Sequence, residues 1–262
     1  MSSIIVERKE NIGKITLNRP EVLNALDANS IEQLDKALAE LGKDENIRCI
    51  ILTGTGRGFC VGIDLKYMKE YLDKGQKFPY GDFLRKYFNR IITRITTSPK
   101  PVIASINGVV AGAGLGLALS CDYKLASEKV NFVEAFLNVG LIPDSASCFF
   151  ILKKIGLARA LEYFTLGETI DAKRALELGL INKVVPEDKL EEETNEIARK
   201  YASLPTRAIA LTKKLIYYSL NNDLENVLEY EAYLQEIAGS TEDHLEGLKA
   251  FIEKRKPVFK GK

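Results

Sequence analysis

Pro101-Val102-Ile103-Ala104-Ser105-Ile106-Asn107-Gly108, continuing as Val109-Val110-Ala111-Gly112-Ala113-Gly114-Leu115-Gly116, is the stretch on which the fold reading turns. Behind the stop Pro99-Lys100-Pro101, the apolar run Val102 to Ile106 reads as a buried strand and Asn107-Gly108 as a turn. The Gly- and Ala-rich run that follows, as far as Cys121, reads as a small-residue helix. The same pattern lies upstream, where the buried strand Cys49 to Leu52 empties into the loop Gly54-Thr55-Gly56-Arg57-Gly58. An amphipathic helix from about Tyr80 to Thr97 separates the two units, and a third strand follows at Tyr123 to Ala126. Alternation of strand and helix predicts an α/β chain with crossover connections rather than a sandwich.

Outward from this centre, Ile4 to Val6 and Lys14 to Leu17 read as a hairpin joined through Asn11-Ile12-Gly13 and ending at Asn18-Arg19-Pro20. Asp27 reads as a helix N-cap, because Ile31, Leu34, Leu38 and Leu41 recur at three- and four-residue spacing behind it. After Pro186 the chain reads as helical, in the segments Leu190 to Tyr201, Arg207 to Ser219, Leu224 to Ile237 and Thr241 to Lys254. The expected division is an α/β core over residues 1–200 and a helical C-terminal region over residues 201–262.

Composition removes several function classes. With 37 Lys+Arg against 36 Asp+Glu the net charge is +1, and no basic block supplies the phosphate-neutralising surface that nucleic acid requires. The first residues carry Glu7, Arg8, Lys9 and Glu10 inside a short apolar run, unlike a signal peptide, so a cytoplasmic location is expected. Pro101 to Cys121 is too rich in small residues to make a good membrane span. The four cysteines lack CxxC spacing, which predicts free, buried thiols. A single histidine, His244, leaves a zinc site without support, and no metal is expected.

Two strand-exit loops could carry chemistry, Gly58-Phe59-Cys60-Val61-Gly62-Ile63-Asp64-Leu65 and Asn107-Gly108 through Gly116. Each brings small residues and the free N–H groups of a following helix to one place, the parts of an oxyanion hole. The glycines are equally compatible with tight turns and close packing alone. Gly112-x-Gly114-x-Gly116 lacks the last glycine of a dinucleotide fingerprint, and Gly54 to Gly58 lacks the Lys-Ser/Thr pair of a P-loop. In Ile142-Pro143-Asp144-Ser145-Ala146-Ser147, Asp144 is placed either to cap the apolar helix Cys148 to Ile155 or to act as a general base in an apolar surround. No GxSxG elbow accompanies Ser145 or Ser147.

At these same loops the chain resembles the crotonase (enoyl-CoA hydratase/isomerase) superfamily. The likeness rests on Ile15-Thr16-Leu17-Asn18-Arg19-Pro20 with Asn24-Ala25-Leu26, on Gly58 to Leu65, and on Pro101 to Gly108 with Ala111-Gly112-Ala113-Gly114. It continues through Cys121-Asp122, Gly140-Leu141-Ile142-Pro143 and Phe251 to Phe259. The resemblance implies an α/β spiral of ββα units whose C-terminal helices serve trimerisation and cover the pocket. It implies a homotrimer or dimer of trimers, an acyl-CoA substrate and no separate cofactor, the CoA thioester being part of the substrate. Matched position by position, it assigns the oxyanion donors to the backbone N–H groups of Ile63 and Ala113. It assigns substrate contacts to Ala25, Val61, Ile63, Asp64, Leu65, Lys66, Gly112, Ala113, Phe136, Lys256 and Phe259. The two glutamates of family hydratases fall at Gly116 and Phe136, neither of which can transfer a proton. Asp144 matches the acid/base of family isomerases, including 1,2-epoxyphenylacetyl-CoA isomerases. The resemblance therefore implies an isomerase that shifts a C=C bond or rearranges an epoxidised aryl-acetyl-CoA. A weak hydratase and a non-catalytic acyl-CoA binder are the alternatives.

Overall fold

The computed structural model describes residues 2–262. Strands β1 (Ile4–Lys9) and β2 (Ile12–Leu17) form the expected hairpin, with Ile4 opposite Leu17. Helix α1 (Ala28–Lys43) starts at Asp27, whose carboxylate accepts from the Ser30 N–H at 2.8 Å while the Ser30 hydroxyl accepts from the Asp27 N–H at 3.1 Å. This reciprocal cap satisfies two amides that the helix itself cannot. The stripe Ile31, Leu34, Leu38 and Leu41 is buried, as its spacing predicts.

Three circuits of chain follow. The first holds β3 (Cys49–Gly54), β4 (Gly58–Cys60), α2 (Leu65–Asp73), α3 (Tyr80–Phe83), a π-helical turn (Leu84–Phe88) and α4 (Asn89–Thr96). The second holds β5 (Val102–Ile106), β6 (Val109–Ala111) and α5 (Ala113–Ser120). The third holds β7 (Tyr123–Ser127), β8 (Asn131–Val133) and α6 (Ser147–Leu166), the last interrupted at Gly156 (φ 77°, ψ 170°). Strand β9 (Thr169–Asp171), α7 (Ala172–Glu177) and β10 (Lys183–Val185) close the spiral. Each circuit gives one strand to a six-stranded sheet, β1-β2-β3-β5-β7-β10, and one to a four-stranded sheet, β4-β6-β8-β9. The chain is thus a spiral of ββα units.

The small second strands correct the sequence reading. Val109 to Ala111, expected in a helix, pairs in parallel with β4 and β8, and Gly58 to Cys60, expected in a loop, is itself a strand. Val109 and Val110 are β-branched and suit a pleated surface, whereas the helix begins only where Gly112, at φ 52° and ψ −132°, turns the chain.

Both faces of the large sheet are covered, which is why β3 and β5 read as continuous apolar runs. Ile50 and Leu52 face the main core with Leu34 and Phe88, while Cys49 and Ile51 pack with Ile103, Leu190 and Ala198 on the other side. Leu190 and Ala198 belong to α8 (Leu190–Ala202), which is followed by α9 (Thr206–Ser219), α10 (Leu224–Gly239) and α11 (Glu242–Ile252). The Lys213 ammonium on α9 donates to the Ile95 carbonyl at 2.6 Å and meets Asp122 at 2.7 Å, tying the C-terminal region to the core. Among the described residues no helix is long and apolar enough to cross a membrane. Cys49, Cys60 and Cys121 are buried and free as expected, but Cys148 is exposed because it stands on the outward side of the first turn of α6.

Candidate active site

The first half of the site is made of backbone. Leu26 and Ile63 form an isolated parallel bridge, in which the Leu26 N–H donates to the Gly62 carbonyl at 2.7 Å and the Asp64 N–H donates to the Leu26 carbonyl at 3.0 Å. In such a bridge the residue between the two bonded neighbours turns its own N–H away, so the Ile63 amide is presented on the opposite side. Ala113, the first residue of α5, has an N–H that no turn of its own helix can satisfy. The two segments touch: Gly62 sits at φ 90°, and a Cβ there would stand 2.9 Å from the Ala113 nitrogen. Among the described residues neither amide has an acceptor. Two N–H donors at the starts of neighbouring helices are equipped to hold an oxygen that gains negative charge.

The second half is one side chain. Asp144 is half-buried on the loop before α6, and the Ser145 hydroxyl donates to its Oδ1 at 2.8 Å. It does not cap the helix: the α6 N-cap is Ala146, without a side-chain bond, and it is the Asp144 main-chain carbonyl that accepts from the Ser147 N–H at 2.9 Å. Removal from water pushes the Asp144 carboxyl up to about 6, against the smaller opposing effect of the Ser145 hydrogen bond. Ser145 (φ 52°) and Ala146 (φ 61°) are consecutive left-handed residues without glycine, a conformation held by the surrounding packing. That packing is visible at Gly116 on α5, where a Cβ would lie 1.9 Å from the Ser145 carbonyl oxygen. The position matched to one hydratase glutamate is therefore filled by the loop that carries Asp144.

The other matched position, Phe136, is buried at the turn leading to this loop, and its carbonyl accepts from the Leu141 N–H at 2.9 Å. Glu134, which no motif or spacing singles out, is fully buried and accepts from the Phe136 N–H at 3.1 Å and the Leu137 N–H at 3.5 Å. It fixes the turn rather than joining Asp144. Ala25, Val61, Gly112 and Ile63 gather around the Leu26 bridge and the start of α5, and Leu65 and Lys66 are exposed on the first turn of α2. The Asp64 carboxylate is already taken, by the Lys66 N–H at 2.9 Å and by Arg19 at 2.7 Å, so only its main chain is left to border a ligand. Lys256 and Phe259 are not brought to this group. Arg48, ahead of β3, donates to the Phe259 carbonyl at 2.6 Å and holds the tail at the end of β3 opposite the loop that leads to Ile63.

Comparison with known proteins places the whole chain in one family. The family model described as enoyl-CoA hydratase/isomerase matches residues 7–262. The chain is 37% identical over 262 residues, all of both chains, to a 1,2-epoxyphenylacetyl-CoA isomerase of Escherichia coli (strain K12). It is 32% identical over 258 residues, 98% of this chain and 97% of the other, to a short-chain-enoyl-CoA hydratase of Clostridium acetobutylicum. The crystal structure of an enoyl-CoA hydratase from Bacillus anthracis superposes with a TM-score of 0.89 at 35% identity, covering 99% of this chain and all of that one. Relatives named for isomerisation and for hydration thus share the whole length and the spiral of this chain, which belongs to the enoyl-CoA hydratase/isomerase family of crotonase-fold acyl-CoA enzymes.

Proposed function

We propose that the protein is an acyl-CoA isomerase that moves a C=C bond from the β,γ to the α,β position, with Asp144 as its acid/base. The observation that carries this reading is the solitary, half-buried Asp144 carboxylate on a loop packed against Gly116, where a second acid cannot stand. In the reaction Asp144 takes a proton from the carbon next to the thioester carbonyl. The electron pair delocalises onto the carbonyl oxygen, which accepts from the Ile63 and Ala113 N–H groups. As the enolate collapses, the double bond forms between the α and β carbons and Asp144 returns the proton to the γ carbon. One carboxylate suffices because no water is added. A base held near neutrality is suited to both halves of that exchange.

A second substrate reading has its own support. A relative is named for 1,2-epoxyphenylacetyl-CoA, and the face of α2 next to Ile63 packs Tyr67 and Tyr71 against Phe78 and Phe83, with ring centroids 5.1 to 6.1 Å apart. An aromatic wall of this kind would suit an epoxidised aryl-acetyl-CoA, whose ring opening uses the same acid and the same oxyanion donors. The assembly is read as a homotrimer or dimer of trimers, a reading supported by Leu245, Leu248, Phe251 (83%) and Ile252, which α11 exposes in the single chain as apolar surface for another copy to cover, and the location is read as the cytoplasm. In that assembly Lys256 and Phe259 would serve the site of a neighbouring copy.

The deciding experiment follows conversion of 3-enoyl-CoA to 2-enoyl-CoA by wild type and Asp144→Asn, beside direct binding of a saturated acyl-CoA. The variant is expected to lose roughly a thousand-fold in kcat while its acyl-CoA affinity stays within about threefold. Equal turnover in both proteins would sink the assignment of Asp144. Binding without turnover in either, on aliphatic and aryl substrates alike, would favour a non-catalytic acyl-CoA binder.

A further inference from the structure

Arg19 stands outside the residues so far given a part in the chemistry, yet it joins both strands of the bridge that presents the Ile63 amide. Its Nη2 donates to Asp64 Oδ2 at 2.7 Å and its Nη1 donates to the Ala25 carbonyl at 2.7 Å, with Asp27 Oδ2 a further 3.4 Å contact. Ala25 precedes Leu26 and Asp64 follows Ile63, so one guanidinium closes a ring around the Leu26–Ile63 pair. The ring is shielded, with the Arg19 side chain 18% and the Asp64 side chain 6% exposed. It is braced from behind by Asn24, whose Oδ1 accepts from the Arg19 N–H at 2.8 Å and whose Nδ2 donates to the Gly58 carbonyl at 2.7 Å at the start of β4. The other Asp64 oxygen caps α2.

We propose that Arg19 is a positioning residue for the oxyanion donor: through Asp64 and the Ala25 carbonyl it fixes the direction in which the Ile63 N–H points. This rests on the reading of Ile63 and Ala113 as donors to the thioester oxygen. The reason the residue is an arginine follows from the geometry. Two acceptors on different strands are held at once by a rigid planar fork, one through each Nη, whereas a lysine would have to meet both from one nitrogen on a flexible stem and would fix their relative placement less closely. A donor that swings by a few tenths of an ångström still binds a neutral carbonyl but loses much of its advantage at an enolate oxygen.

The test compares wild type with Arg19→Lys, Arg19→Gln and Asp64→Asn. The readouts are steady-state isomerisation, affinity for butyryl-CoA as a saturated thioester, and the ultraviolet band of enolised acetoacetyl-CoA bound to the protein. Circular dichroism confirms which variants are folded, and Arg19→Lys and Asp64→Asn, the mildest changes, carry the comparison should Arg19→Gln not fold. The expectation is a fall in kcat of roughly 10- to 100-fold with butyryl-CoA affinity within about threefold, and a weakened enolate band in step with kcat. Combining Arg19→Gln with Asp64→Asn should add little, since both break one ring. Unchanged kcat and enolate band in the folded variants would overturn the role of Arg19 while leaving the oxyanion reading intact. Equal losses in kcat and butyryl-CoA affinity would reduce Arg19 to a residue that merely holds the loop. A wild-type protein that binds acetoacetyl-CoA without any enolate band would instead remove the oxyanion reading, and this proposal with it.

Discussion

The two halves of the site are built on opposite plans. The Ile63 and Ala113 half uses main-chain groups, fixed by a strand bridge on one side and a helix start on the other, and is nearly indifferent to which side chains those residues carry. The Asp144 half depends on one carboxylate, on a loop whose two left-handed residues are wedged over Gly116. Within a family whose relatives are named for both isomerisation and hydration, this division shows where chemistry can change. On the proposed reading, the backbone half would hold any thioester enolate and the loop half would decide what happens to the proton.

The contrast can be broken by experiment. Gly116→Glu is expected to have the largest effect, because its side chain would enter space held by the Ser145 carbonyl. It should lower stability by about 3 kcal/mol or more and abolish turnover instead of creating a hydratase, as thermal melting and crotonyl-CoA hydration would show. A folded Gly116→Glu protein that hydrates crotonyl-CoA would mean that the loop is not wedged at all. Next in size, Ala113→Pro replaces one N–H by a ring carbon at a helix position where proline is tolerated, and should lower kcat by roughly a hundred-fold, with thermal melting as the check that the protein stays folded. Ala113→Gly keeps the amide and should stay within about threefold, which sharpens the claim that only the main chain matters there. The smallest effect concerns pH. Asp144 must be ionised to take a proton, so kcat/KM should fall as pH drops through about 6. The Ser145 hydroxyl favours the ionised form, and Ser145→Ala should therefore move that acidic limb upward by roughly one unit. A limb left in place by Ser145→Ala would contradict the Ser145 hydrogen bond, and a wild-type limb near the ordinary carboxylate range would contradict the buried setting of Asp144.

Much of this was legible in the sequence because it rests on local rules. The spacing of Ile31, Leu34, Leu38 and Leu41 behind Asp27 located α1, and the C-terminal periodicities located α8 to α11 within a few residues. The short strands β4, β6 and β8 were not legible, since three residues are too few to show a period and their pairing is with chain one circuit away. Asp144 was visible as a choice between cap and base, and the three-dimensional loop removes the cap: the main-chain carbonyl takes the helix's bond and leaves the carboxylate to Ser145. Arg19 was seen only as part of a turn, because its partners Ala25 and Asp64 come together through a bridge that no sequence window spans.

The contact between Gly116 and Ser145 also bears on how such enzymes change over evolutionary time. A glutamate at 116 and this form of the 144–146 loop exclude one another, so the two positions cannot drift independently. A lineage that gains an acid at 116 must first, or at once, rebuild the loop over it, and a lineage that folds the loop inward must already have glycine beneath it. Sterics thus bind the residue at 116 and the shape of the loop into a single choice.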